Sequence, residues 1–106
     1  IDGIVAGEGD GPLDPKPVDA GALLFGDDVA LTDRVASRLM GFDPDRIPLV
    51  REAFRQQPWP LTDRATNDPA ECVVDGQPVL ETEIEPVLAR PFLPRRGWSR
   101  WLRARE

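Results

Sequence analysis

The most constraining feature of this sequence is an apolar stripe in the segment DDVALTDRVASRLMG. Leu31, Val35 and Leu39 recur every four residues, which is the spacing of one face of an α-helix. Gly41 follows at the position where helices often end in a left-handed conformation. Because an apolar helix face must be covered, the pattern predicts a helix over about 28–40 that rests on a sheet.

Shorter elements are expected on both sides of this helix. Residues 21–26, GALLFG, form a short apolar run bounded by glycine, which is typical of a buried strand. A second helix is predicted over about 48–57, between two prolines. The pair Asp75-Gly76 is a two-residue turn signal and predicts a hairpin over about 72–84.

The return strand of this hairpin alternates in polarity from Val79 onward. Its two faces carry Leu80, Thr82 and Ile84 on one side and Glu81, Glu83 and Glu85 on the other. Since strand side chains alternate between faces, the three glutamates are expected to share one face of the strand. The whole pattern predicts a single small α/β domain with a short mixed sheet, two packed helices, the β-hairpin and a C-terminal helix in WSRWLRARE.

The composition excludes several kinds of covalent cross-link, metal site and catalytic nucleophile. The 106 residues include no histidine and one cysteine, Cys72. An internal disulfide, a four-cysteine metal site and a histidine-activated nucleophile are therefore impossible within this chain. No apolar run approaches the roughly 20 residues of a membrane-spanning helix. We expect a soluble cytoplasmic protein, and its first residue, Ile1, suggests a piece of a longer one.

Charge is distributed unevenly along the chain. The net charge is −6, yet residues 1–33 carry eight acids and one lysine, whereas residues 90–106 carry six arginines and one glutamate. Opposite charges at the two ends predict intramolecular docking. The acidic balance argues against a nucleic-acid partner, because such domains are usually basic overall.

The opening segment VAGEGDGPLDPKP is the first candidate site. Glu8 and Asp10 offer oxygen ligands to a divalent cation, and the amides of Gly7, Gly9 and Gly11 can approach a ligand closely because glycine has no Cβ. The alternative interpretation is a structural turn whose glycines adopt unusual backbone angles and whose acids are solvated. The residues leave both interpretations open.

Asp33 is the candidate for a catalytic acid or base. It lies one turn inside the predicted helix, whereas Asp28 is placed to cap the first turn. In a parallel sheet, ligands bind beyond the carboxyl ends of the strands. The position predicts that Asp33 points toward such a crevice. The alternative is that the acids at the helix start only cap the first turn and complement the helix dipole.

Two phrases, IDGIVAGEGDGP and DDVALTDRVASRLMGFDPDRIP, resemble the carboxyl-terminal part of the bacterial and archaeal family known as domain of unknown function 362. The resemblance covers residues 1–57, and Val29 departs from it where the family usually has proline. It implies that residues 1–90 are the C-terminal portion of a larger α/β domain, followed by a basic amphipathic tail over 91–106. It also implies an iron–sulfur-associated redox or cofactor-related setting, although this chain has no cysteine cluster of its own.

The sequence supports two functional hypotheses. In the first, the chain is the ligand- or divalent-cation-binding end of a larger, iron–sulfur-associated enzyme, with Glu8, Asp10 and Asp33 at a common site. In the second, it is a non-catalytic structural or interaction domain that contacts the remainder of its parent protein, an iron–sulfur module, or another copy.

Overall fold

The computed structural model describes residues 1–65, 67–98 and 102. These residues form two antiparallel hairpins, two helices and two short 3₁₀ turns, which confirms the single small domain of mixed α/β class. In chain order the elements are β1 (Asp2–Asp10), β2 (Asp14–Leu23), α1 (Val29–Leu39), a 3₁₀ turn (Pro44–Arg46), α2 (Pro48–Ala53), β3 (Glu71–Val74), β4 (Gln77–Leu80) and a second 3₁₀ turn (Glu81–Glu83).

The strands differ in part from the sequence expectation. They form two separate antiparallel pairs, β1–β2 and β3–β4, and not one mixed sheet. The glycine-rich opening segment is strand β1, because pairing with β2 overrides the low strand propensity of glycine and proline. The predicted buried strand over 21–26 forms only over 21–23, at the end of β2, and it is not buried, since Leu23 and Phe25 are 57% and 90% exposed.

Helix α1 confirms the predicted boundaries. The Asp28 carboxylate accepts a hydrogen bond of 2.9 Å from the Leu31 amide, as an N-cap should. At the other end Gly41 has φ of 77°, and the Gly41 and Phe42 amides donate to the carbonyls of Arg38 and Ser37 at 2.8 and 2.9 Å. This arrangement is a Schellman ending, which the left-handed glycine makes possible.

The remaining elements follow the turn chemistry of the sequence. Asp75 and Gly76 both have positive φ, 49° and 82°, and join β3 to β4 as the predicted two-residue turn. The second helix is shorter than expected, because α2 ends at Ala53. Most of the predicted C-terminal helix lies outside the described residues.

The core consists of two apolar clusters that share Ile47. One packs the β1–β2 hairpin against the C-terminal part of the chain around Val18, Phe42, Phe92 and Leu102. The other joins the two helices around Ala30, Val50 and Phe54. The first hairpin, the two helices and the C-terminal part of the chain are therefore held together by side chains from distant parts of the sequence. Within the described residues, no helix has both the length and the apolar character needed to cross a bilayer.

Candidate functional site

A broad groove of about 880 Å³ lies on one side of the described structure. Its walls are the end of β2 with the segment after it, one face of α1, and the β3–β4 hairpin. The apolar side chains along it include Leu23, Phe25, Leu31, Val35, Leu39 and Val79. Its volume is within the range of about 300–1,000 Å³ that binding pockets commonly have.

Helix α1 has two distinct packing faces, and the groove lies along one of them. Ala30, Arg34 and Ser37 are the buried residues of this helix, and they face the core. The predicted stripe of Leu31, Val35 and Leu39 instead borders the groove. Residues separated by three or four positions share a helix face, so these two sets point in clearly different directions. The stripe that should rest on a sheet therefore lines an open surface.

A buried ion pair connects two walls of the groove. Arg34 of α1 binds Glu81, which directly follows β4, and both side chains are at least 97% buried. The Arg34 Nε donates to Glu81 Oε2 at 2.8 Å, and its Nη2 donates to Glu81 Oε1. A forked guanidinium–carboxylate pair fixes orientation as well as distance. It therefore fixes α1 against the second hairpin.

Further polar groups surround this pair. The Ala70 amide donates to Glu81 Oε1 at 3.1 Å, and Arg34 Nη2 donates to the Asp68 carbonyl at 3.1 Å. The Arg34 guanidinium also lies 4.1 Å from the centroid of the Phe54 ring, directly after α2. Arg34 thus joins α1, the end of α2 and the segment before β3, which is why a charged pair can be tolerated in the interior.

The rim of the groove is acidic. Among the residues that the structure describes, its lining contains six carboxylates and no lysine or arginine. These are Asp27, Asp28, Glu71, Asp75, Glu83 and Glu85. Burial acts to raise the pKa of Asp28, but hydrogen bonds from Thr62 and the Leu31 amide outweigh it and lower that pKa. Asp28 therefore keeps its negative charge at the rim.

Cys72 also lines the groove, where its side chain is half-buried. Burial, followed by the nearby negative charge of Glu81, raises the pKa of its thiol. The thiolate is the reactive form of cysteine, so this environment suppresses nucleophilic reactivity. The environment therefore favours a packing role for Cys72 over a catalytic one.

Glu8 is engaged by the C-terminal part of the chain. Its two carboxylate oxygens accept hydrogen bonds of 2.7 and 2.8 Å from the Arg90 guanidinium, and the Leu93 amide adds a third at 2.8 Å. The Arg90 hydrogen bond chiefly lowers the pKa of Glu8 from 4.5 to about 2. A cation at Glu8 would have to displace Arg90, so the predicted metal contact competes with an ion pair already formed.

The other predicted site residues lie in different surroundings. Asp10 accepts a hydrogen bond from the Arg96 amide at 3.2 Å and contacts the Arg96 guanidinium at 3.2 Å. Asp33 is exposed on α1 and is not part of the groove lining. Both sheets are antiparallel, so the crevice beyond parallel strands that motivated the Asp33 prediction has no counterpart in the described residues. Within the described ranges, no three acidic, cysteine or histidine side chains are grouped as metal ligands.

The predicted ligand-orienting glycines border a second, smaller cavity of about 180 Å³. Gly7, Gly9 and Gly11 lie along it together with Met40 and Phe42. The Gly9 amide donates to the Leu93 carbonyl at 2.7 Å, so this amide is used for packing against the chain itself. The oppositely charged ends of the sequence do dock on each other here, as the charge asymmetry predicts.

Sequence reasoning missed the Arg34–Glu81 pair and misplaced Glu81. The alternation after Val79 predicts that Glu81 lies on the glutamate face of a strand, yet Glu81 is outside the strand and 1% exposed. The strand ends at Leu80 and a 3₁₀ turn begins, which changes the direction of the following side chains. A usable signal was present in α1, where Arg34 shares helical spacing with the small residues Ala30 and Ser37.

A scan against protein-family models, a search of curated proteins and a search of solved structures each found no match to this chain. The resemblance drawn from residues 1–57 therefore stays a prediction. The function of the chain has to be inferred from the geometry of the groove and of the two ion pairs.

Removing one member of the buried pair should strongly destabilise the fold. We expect Glu81→Gln and Arg34→Met each to lower the free energy of unfolding by about 3–5 kcal/mol, because each leaves a buried group unpaired. The double variant Arg34→Met/Glu81→Gln should cost clearly less than the sum of the single changes. Urea unfolding measures all three.

Glu52→Gln is the matched control for Glu81→Gln. Glu52 also pairs with arginines, at 3.3 and 3.4 Å, but its side chain is 49% exposed. Its loss should change the free energy of unfolding by less than about 1 kcal/mol. Similar small effects for Glu81→Gln and Glu52→Gln would contradict a central role for the buried pair.

The Glu8–Arg90 pair should make stability depend on acid pH. The folded-state pKa of Glu8 is lowered to about 2, so its contribution is present above about pH 4.5 and is lost as pH falls toward 2. We expect Glu8→Gln to lower stability at pH 7 by about 1–2 kcal/mol, because the exposed Arg90 recovers some hydration. Its stability should then fall less steeply with acid than that of the wild type.

Asp19→Asn, an exposed change on the same hairpin, is the control for this pH experiment. It should reproduce the wild-type loss of unfolding free energy between about pH 5 and pH 2. An identical acid dependence in the wild type and Glu8→Gln would show that the Glu8–Arg90 pair contributes nothing to folding.

Proposed function

We propose that this chain is an interaction domain whose groove binds an apolar polypeptide segment of a larger protein. The observation that carries the proposal is the apolar stripe of α1, Leu31, Val35 and Leu39, which lines an open groove while a different face of the helix packs into the core. A partner segment would complete the layer that such a stripe requires.

Hydrophobic exposure around the groove supports a macromolecular partner. Leu23, Phe25 and Val74 border it with 57%, 90% and 42% of their surfaces exposed. Contiguous exposed apolar surface on a folded protein commonly marks an interaction site. Fully burying one exposed side chain of this size contributes about 1.5–3 kcal/mol, so covering the exposed parts of these three side chains favours association.

The partner we propose is the remainder of a longer parent protein, in the redox and iron–sulfur setting that the family resemblance implies, in the cytoplasm. The chain contributes a shaped apolar surface to that assembly, and the reacting groups belong to the partner. The pairing of Glu8 with Arg90 favours this role over cation binding, because Glu8 already has partners at both oxygens.

Site-specific photo-cross-linking tests the proposal. A photoreactive phenylalanine analogue is placed at Phe25 on the groove, and separately at Leu13, which is 95% exposed in the β1–β2 connection. In cells that naturally produce the protein, position 25 should cross-link to one apolar polypeptide segment of the parent protein. Mass spectrometry of the linked peptide identifies that segment, and position 13 should give no comparable product.

Two results would overturn the proposal. Equal cross-linking at positions 25 and 13 would mean that the groove has no dedicated partner. A product at position 25 that contains this same domain twice would replace the parent segment with a second copy. Circular dichroism of both labelled proteins confirms that the comparison is between folded chains.

A further inference from the structure

We infer that the segment bound in the groove is a β-strand that pairs with the free edge of β3 and carries basic residues at its ends. This inference rests on the proposed function, since it specifies the partner of the same groove. The orientation of β3, the register of the second hairpin and the charge of the rim support it.

The edge of β3 is directed into the groove. Consecutive residues over 71–75 all border it, whereas β4 contributes Val79. Side chains of a strand alternate between two faces, so a face directed at the groove would present alternate residues from both strands. Cys72, Val74 and Val79 share one face of the hairpin. The presence of Glu71 and Val73 beside them shows that the groove extends around the edge of β3. The backbone of β3 is therefore accessible to a partner from the groove.

The register shows which backbone groups of β3 are available. Val74 and Gln77 flank the two-residue turn, and such flanking residues exchange hydrogen bonds. Val73 and Pro78 are therefore a non-hydrogen-bonded pair, a position that suits proline because it has no N–H. The N–H and C=O of Val73 consequently point away from β4, toward the open edge. An incoming strand can pair with them without disturbing the hairpin.

The floor of the groove suits the side chains of such a strand. Leu31, Val35 and Leu39 of α1 lie along it, and Leu23 forms part of the opposite wall. Alternate residues of an extended segment point to one face, so every second side chain of the partner would pack on the α1 stripe. Pairing at a sheet edge combined with pockets for alternate side chains is a known mode of peptide recognition.

The negative charge of the rim favours basic residues at the ends of the bound strand. The six carboxylates around the groove, with no basic side chain among the described lining residues, attract lysine or arginine that flanks an apolar centre. Exposed charges of this kind act mainly on selectivity and association rate, and their effect falls with salt. A strand with acidic ends should therefore be discriminated against at low ionic strength.

Three synthetic peptides test the inference on the wild-type chain. The first alternates valine with threonine and ends in lysines, the second ends in glutamates, and the third is the lysine-ended peptide with alternate backbone nitrogens methylated. We expect the first to shift the amide resonances of Leu23 and Val73 saturably at concentrations up to about 1 mM. The methylated peptide should bind at least about tenfold more weakly, because it lacks the N–H groups for pairing.

A backbone variant provides the complementary test. Val73→Pro removes the outward N–H and leaves the β3–β4 hydrogen bonds in place, as Pro78 does opposite it. It should weaken binding of the lysine-ended peptide at least about tenfold. Val73→Thr keeps the N–H and should bind within about twofold of the wild type. The amide spectrum of β3 and β4 reports whether Val73→Pro retains the hairpin.

The outcomes separate this inference from the proposed function. Equal binding of the methylated and unmethylated peptides to the wild-type chain overturns strand pairing, and a cross-link at Phe25 would then leave the groove as an interaction site of another kind. Equal binding of the lysine-ended and glutamate-ended peptides at low salt overturns the basic specificity. Failure of the lysine-ended peptide to bind overturns the whole inference, and with no cross-link at Phe25 the proposed function falls too.

Discussion

The buried pair of Arg34 and Glu81 is the interaction on which the rest of the structure depends. It connects α1 to the end of the second hairpin, and the same arginine contacts the Phe54 ring and the Asp68 carbonyl. Each buried charge is costly unless it is paired and hydrogen-bonded, so the elements around it must keep a single arrangement. The position of the hairpin relative to α1 follows from that requirement.

This arrangement turns one side of α1 toward the core and leaves the other side to the groove. Ala30, Arg34 and Ser37 occupy the inner face, so Leu31, Val35 and Leu39 cannot be buried by the same neighbours. The Glu8–Arg90 pair holds the first hairpin against the C-terminal segment in a comparable way. Two ion pairs thus position the walls of an apolar, acid-rimmed surface, and the proposed binding of a partner strand uses that surface.

Local signals predicted the parts of this fold that local chemistry determines. The Asp28 cap, the Gly41 ending and the Asp75-Gly76 turn all form as expected. The glycine-rich strand β1 was missed because its stability comes from pairing with β2, and Glu81 was misplaced because alternation does not show where a strand ends. Contacts such as Glu8 with Arg90, which are 82 positions apart, leave no periodic trace in the sequence. The stripe of α1 could be predicted, but what covers it could not.

The reactivity of Cys72 offers the most direct measurement of the central claim that the groove is covered in the working assembly. Cys72 is the single cysteine of the chain and lines the groove, so alkylation of the unmodified protein reports on that surface. The alkylation rate at one pH should be at least about tenfold lower in the native assembly than in the isolated chain, since a bound segment excludes the reagent. Equal rates in the two states would contradict the account.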